Sequence, residues 1–208
     1  PSPAQLAYVL AHKRASCTSA PAGYRAVPTA RPRPCILVSA LDPPANSAAG
    51  RGLDPVRARS NVDHTLIGDA TIEQAAVPTS VPAMRLVPSH IDLAGAEIEL
   101  ATMSARETRL RKAFQTVPAG VGCIIIDCPP SLGLLTLNAL SAATSMLIPT
   151  QCEYFALEGL RHLLYTHKLV RSRLNPNLGI AGLVMTQFDA RTTLPWAVLC
   201  QCHRSRPA

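Results

Sequence analysis

The chain has 208 residues, of which 48% are apolar and only 4% aromatic, so it can bury one α/β-sized core built from Leu, Ile, Val and Ala. No run of 18 apolar residues occurs, and the N-terminus lacks a charged start followed by an apolar stretch. Neither a membrane span nor a secretory leader is therefore expected. The net charge of +7, carried by 17 Arg and three Lys, suits a polyanionic partner such as DNA, but much of it lies in the flanks: residues 1–40 hold five basic residues and no acid, and Arg191, Arg204 and Arg206 follow the last acid, Asp189.

Seven cysteines at scattered positions do not read as a disulfide framework, and a reducing cytoplasm is the expected compartment. Cys123 and Cys128 fall in or beside an apolar run, where a reduced thiol acts as a small hydrophobe. Cys200, Cys202 and His203 stand together but have no second ligand pair at a familiar zinc spacing.

Residues 1–34 contain six Pro and eight Ala with no sustained period and read as coil, expected to be disordered and off the sheet. Cys35–Ala40 reads as a short buried strand, followed by a loop. Thr71 opens a short helix, with Gln74 placed to complete a capping box. Met84–Val87 reads as a strand stopped by Pro88. Asp92 suits an N-cap, and Leu93, Ala96, Leu100, Met103 and Leu110 predict one long helix to about Phe114.

Val121–Ile126 is a continuous apolar run rich in β-branched residues. It predicts a central parallel strand buried on both faces. Leu134–Ala143 reads as a helix and Met146–Pro149 as a strand. A helix is expected from about Ala156 to Leu174, stopped at Asn175-Pro176, with His162 and His167 both read as solvated. Gly179–Thr186 predicts a further buried strand. Strands alternating with helices predict an α/β fold with a doubly wound, mostly parallel sheet. After Leu194 the pattern dissolves.

Asp127 follows the apolar run directly. A carboxylate at the carboxyl end of a buried strand lies where α/β sheets bind ligands, and in phosphate-transfer proteins such an Asp holds Mg²⁺. An Asp that merely caps the next turn is the competing reading.

The stretch "CIIIDCPPSLGLLTLNALSAATSMLIPTQCEYFALEGLRHLL" resembles the ParA/Soj family of chromosome- and plasmid-partitioning ATPases, which are P-loop NTPases of the deviant Walker A type. "LNPNLGIAGLVMTQFDARTTL", "VPTSVPAMRLVPSHIDLAGAEIEL" and "RETRLRKAF" extend the resemblance over about Asn61 to Leu194. "CILVSALDPPANSAAGRGLD" aligns with the family segment V-L-L-V-D-x-D-P-Q-G-N. Asp42 matches its second Asp, and Pro43 and Asn46 match, whereas Ala40, Pro44 and Ala45 depart from it. The resemblance implies ATP and Mg²⁺ as cofactors. Asp42 would orient the attacking water, Asp127 would serve catalysis and the metal, and Asn46, Asp127 and Pro129 would lie at the nucleotide. It also implies an ATP-dependent homodimer, non-specific DNA binding on the nucleoid, a ParB-type partner and a cytoplasmic location.

The family's phosphate loop, K-G-G-V-G-K-T, has no counterpart in these residues. No Gly is followed by Lys, and Lys13, Lys112 and Lys168 lie outside any glycine-rich loop. The expectation is thus a partial ParA-like α/β domain over residues 35–194, between a Pro/Ala-rich segment (1–34) and an unrelated tail (195–208), truncated or out of frame at both ends. The alternative to a ParA-type ATPase is a catalytically inactive remnant that at most binds a partner or DNA. Cys152 and Glu153 are read as structural, with the lining of a dimer or nucleotide edge as the alternative, and Arg191 as either surface charge or a DNA contact.

Overall fold

Buried backbone must find hydrogen-bond partners, and the apolar runs of this chain meet that demand by pairing into one sheet. The computed structural model describes residues 8–13, 35–41, 60–89, 93–118, 120–129, 131–151 and 154–186. Its strands are β1 (Tyr8–Lys13), β2 (Cys35–Ala40), β3 (Val77–Pro78), β4 (Met84–Val87), β5 (Val121–Cys128), β6 (Ser145–Gln151) and β7 (Gly179–Thr186). They lie in the order β3-β4-β2-β5-β1-β6-β7. β4, β2 and β5 run parallel, as do β6 and β7, while β1 is antiparallel to both β5 and β6.

The helices are α1 (Val62–Ile67), α2 (Ile72–Ala75), α3 (Leu93–Thr102), α4 (Arg109–Ala113), α5 (Leu134–Ala142) and α6 (Tyr154–Arg173). One apolar cluster joins them to the sheet, from Leu37, Leu41 and Val87 through Ile124 and Ile126 to Met146 and Ile148. A second cluster of Val38, Ala40 and Leu86 lies on the other face of β2 and β4. Both faces of β2 are therefore buried, as its unbroken apolar run requires. No helix among the described residues is long and apolar enough to cross a membrane.

Several expectations hold at residue level. β2, β4 and β7 occupy the expected spans, β5 sits inside the sheet, and Thr71 and Gln74 form a complete capping box.

Four differ. Residues 1–34 were expected as coil throughout, but Tyr8–Lys13 is a strand in the middle of the sheet. Tyr and Val favour strands, as at Tyr8 and Val9, and the facing edges of β5 and β6 both need a ladder partner. That tertiary demand overrides the local composition. The single helix expected from Leu93 to Phe114 is two, α3 and α4. They are separated by a break at Ala105, which has φ 54°, and by a 3₁₀ turn, Arg106–Thr108. Arg106 donates to the carbonyl of Ala101, and Asn138 and Ser141 of α5 accept or donate to backbone groups of the broken stretch. β7 is not a buried strand: its residues alternate between exposed and half-buried, and Val184 is 42% exposed. It is the last strand of the described sheet, so one ladder edge and part of each face lack sheet neighbours. His167 is not solvated. It shares a buried stripe with Leu160, Leu163 and Val170, and its Nε2 lies 3.1 Å from the carbonyl oxygen of Leu178. His162 is exposed, as expected. The Asp92 cap, the segment 14–34 and the tail from residue 187 onward lie outside the described residues.

Candidate functional site

The carboxyl end of β5 carries Asp127, half-buried, with Ala40 of β2 opposite it on one side and Val9 of β1 on the other. β5 runs one residue beyond Asp127, so this Asp is a strand residue. The N–H of Leu41 donates to the Asp127 carbonyl oxygen at 2.7 Å and fastens the end of β2 to this point. Cys128 follows, 2% exposed on the helix-covered face. Burial, and then the Asp127 charge beside it, push its thiol pKa well above the usual value, so it stays a neutral core group. Pro129 is buried behind it. The structure thus brings Asp127 and Pro129 together. Asp42, Asn46, Cys152, Glu153 and Arg191 lie outside the described residues.

Two contributors had no sequence signal. Glu97 of α3 reaches across to α5, and its Oε1 accepts from the N–H of Leu134 at 2.9 Å. It caps a helix that opens on Gly133, which has no capping side chain of its own. Gly133 leaves room for that bond, because a Cβ would sit 2.6 Å from the same Oε1 and push the flexible Glu97 side chain away. Ser39 of β2, opposite Ile126, is fully buried, and its hydroxyl has no hydrogen-bond partner among the described residues. Among these residues no three His, Cys, Asp or Glu side chains gather as a metal cluster.

Comparison with known proteins identifies this arrangement. A family model described as an AAA domain matches residues 30–180, more than half of the chain. The sporulation initiation inhibitor protein Soj of Bacillus subtilis is 46% identical over 159 residues, covering 76% of this chain and 63% of Soj. The chromosome partitioning protein ParA of Myxococcus xanthus is 45% identical over 163 residues, covering 78% of this chain and 58% of ParA. The chain belongs to the ParA/Soj family. It spans about 60% of the length of these curated relatives. The structure described as cobyrinic acid a,c-diamide synthase of Mycobacterium smegmatis, with bound ATP analogue and magnesium, superposes with a TM-score of 0.77 at 38% identity. It covers 83% of this chain and 70% of that one.

Set against the ATP and Mg²⁺ that the ParA/Soj family implies, the described residues fit in one respect and fail in another. A carboxylate at the carboxyl edge suits Mg²⁺, which keeps much of its water shell and takes one or two protein carboxylates. The phosphates need a different element: a loop of backbone N–H groups and lysine following a strand, at that same carboxyl edge. Here β1 pairs Tyr8 with Cys128 and Lys13 with Cys123. The chain therefore leaves β1 at the amino end of β5, away from Asp127. A segment following β1 starts at the wrong end of the sheet to wrap a triphosphate held at Asp127, and no Gly-Lys pair occurs in the chain to build such a loop.

Proposed function

We propose that this chain serves a ParA-type role in chromosome or plasmid segregation. It would act as a protein that pairs with a second copy, holds DNA without sequence preference and answers to a ParB-type partner. The observation that carries the reading is the 46% identity to Soj across three quarters of the chain. In this reading Asp127 holds Mg²⁺ through water, Asp42 orients the attacking water, and Asn46 and Pro129 lie beside the nucleotide. A DNA face is offered by α6: Arg161, Lys168 and Arg171 are exposed, Glu158 is the one acid in the helix, and Tyr165 stands 71% exposed among the cations. Arg and Lys neutralise phosphates, and an exposed aromatic ring offers a stacking face.

A second reading, a non-catalytic relative that only binds a partner or DNA, is favoured by the direction of β1 and the absence of a Gly-Lys pair. Phosphoryl transfer depends almost entirely on positioning and charge stabilisation, and removing even one oxyanion donor lowers rates by about 10²–10³. These 208 residues are therefore expected to release phosphate from Mg-ATP at the background rate.

The two readings separate in one pair of measurements. Phosphate release is followed with Mg-ATP beside an Asp127→Ala control, and retention of unrelated DNA duplexes is measured over a salt series. Turnover that the control abolishes supports the ATPase reading. DNA retention without turnover supports the second, and replacing Lys168 and Arg171 together by Gln should then reduce the salt slope by about 2. Absence of both turnover and DNA retention overturns the ATPase reading and the DNA-binding form of the second.

A further inference from the structure

Arg109 opens α4 and is clamped in place. Its Nε and Nη2 donate to the carbonyl oxygens of Leu66 and Ile67, the last residues of α1. The approach is close because Gly68 follows with φ +102°, and a Cβ there would meet Nη2 at 3.1 Å. The N–H groups of Gly68, Asp69 and Ala70 all turn back onto the carbonyl of His64, so the turn is rigid and keeps those carbonyls aimed at the guanidinium.

One edge of the planar guanidinium is thus spent on protein, while its Nη1 makes no hydrogen bond to another described residue. Arg109 lines a cleft of about 270 Å³ between α4 and the turn from α1 to α2. Lys112 and Thr116 lie three and seven positions further on, so they fall on the same side of the segment and line the same wall. Thr71 and Gln74 line the facing wall, and Asp69 is the only carboxylate in the lining. The cleft is separate from Asp127: the chain passes from α4 into the amino end of β5, and Asp127 stands at the other end of that strand.

We propose that this cleft is an oxyanion site that takes a phosphate group, either free inorganic phosphate or pyrophosphate, or the terminal phosphates of a nucleotide. A guanidinium held by carbonyl oxygens keeps its full charge and loses little rotamer freedom when an anion arrives on its remaining edge. Lys112 adds a second, mobile charge, whereas the hydroxyls of Thr65, Thr71 and Thr116 already donate to the Val62 carbonyl, the Gln74 side chain and the Ala113 carbonyl, so the two cations carry the site. A bound phosphate would tie α4 to the α1–α2 turn.

The test is calorimetric titration of the purified chain with inorganic pyrophosphate, and separately with ADP, in buffer free of other oxyanions. Saturable pyrophosphate binding is expected that weakens with added NaCl. Lys112 is exposed, so Lys112→Gln leaves the fold intact. It should weaken binding about tenfold, the size of one charge-assisted contact at a partly exposed site. Arg109→Lys, which keeps the charge but loses the fork, should also weaken it, and Asp127→Ala should not. Competition between ADP and pyrophosphate assigns the site to nucleotide phosphates; pyrophosphate binding alone assigns it to the free oxyanion. Absent binding, binding indifferent to Lys112→Gln, or binding lost in Asp127→Ala each overturns the proposal.

Discussion

The backbone N–H of Leu110 donates to Oδ1 of Asn138 at 3.1 Å. That bond explains why one apolar period yields two helices. Asn138 also donates from Nδ2 to the carbonyls of Arg106 and Leu134, and it is fully buried. A side chain from α5 thus replaces the helical partners that the break at Ala105 removes. Asn138→Leu should strand a buried N–H and a carbonyl and lower stability by about 2–6 kcal/mol, at roughly 1–3 kcal/mol for each unsatisfied group. The midpoint of a urea titration measures this, and a shift below the error of the method would mean that the bonds do not hold the break.

Glu97 and Gly133 act as one unit at the start of α5. Glu97→Ala removes the cap on Leu134, and Gly133→Ala pushes the same carboxylate off it. Each change should destabilise by about 1 kcal/mol, the usual size of an N-cap. The double variant should be little worse than either single one, because both remove the same bond. Additive effects in a double-mutant cycle would show that the glycine is needed for some other reason.

The buried hydroxyl of Ser39 lacks a partner among the described residues. Ser39→Ala should therefore raise stability by about 1 kcal/mol, since it removes an unsatisfied polar group and very little volume. Thermal unfolding of the two proteins at equal concentration decides the matter, and a lower melting temperature in the variant would contradict it.

His167 makes stability depend on pH. Burial lowers its pKa from the usual 6.5, the bond to the Leu178 carbonyl opposes that shift, and the Arg171 charge adds to it. With the folded value depressed, the unfolded chain takes up the proton first. The contribution of His167 is thus complete above pH 6.5 and is lost as the pH falls below it. Urea midpoints measured between pH 7.5 and 5.5 should fall more steeply for the native chain than for His167→Gln. Parallel slopes would remove His167 as the cause.

The architecture was largely legible because β2, β4, β5 and β7 are apolar runs of strand length bounded by Gly, Pro or a charge; all four are strands, although the run of β7 is not buried as such a run predicts. What was missed depends on partners distant in sequence. The break at Ala105 is written into Asn138 and Ser141 of α5 and not into the helix itself. β1 is a strand because two other strands leave a gap for it. His162 and His167 differ because one lies outside the buried stripe of α6 and the other within it, a distinction of helical phase that five-residue spacing alone did not resolve. At the site, Asp127 could be read from its strand. The Glu97 cap and the Arg109 clamp join residues 37 and 43 positions apart and left no local trace.

The reversed central strand also bears on how the chain reaches its fold. β1 is the first strand in sequence, yet it pairs with β5 and β6, more than 100 residues away. In the described sheet it is the one strand that touches both parallel blocks. Such long-range closure raises contact order and slows folding. Until it happens, the apolar run of β5 presents an open ladder edge that other chains can pair with. The same six residues that complete the sheet therefore also guard it against aggregation, and a cell making this protein depends on their timely arrival.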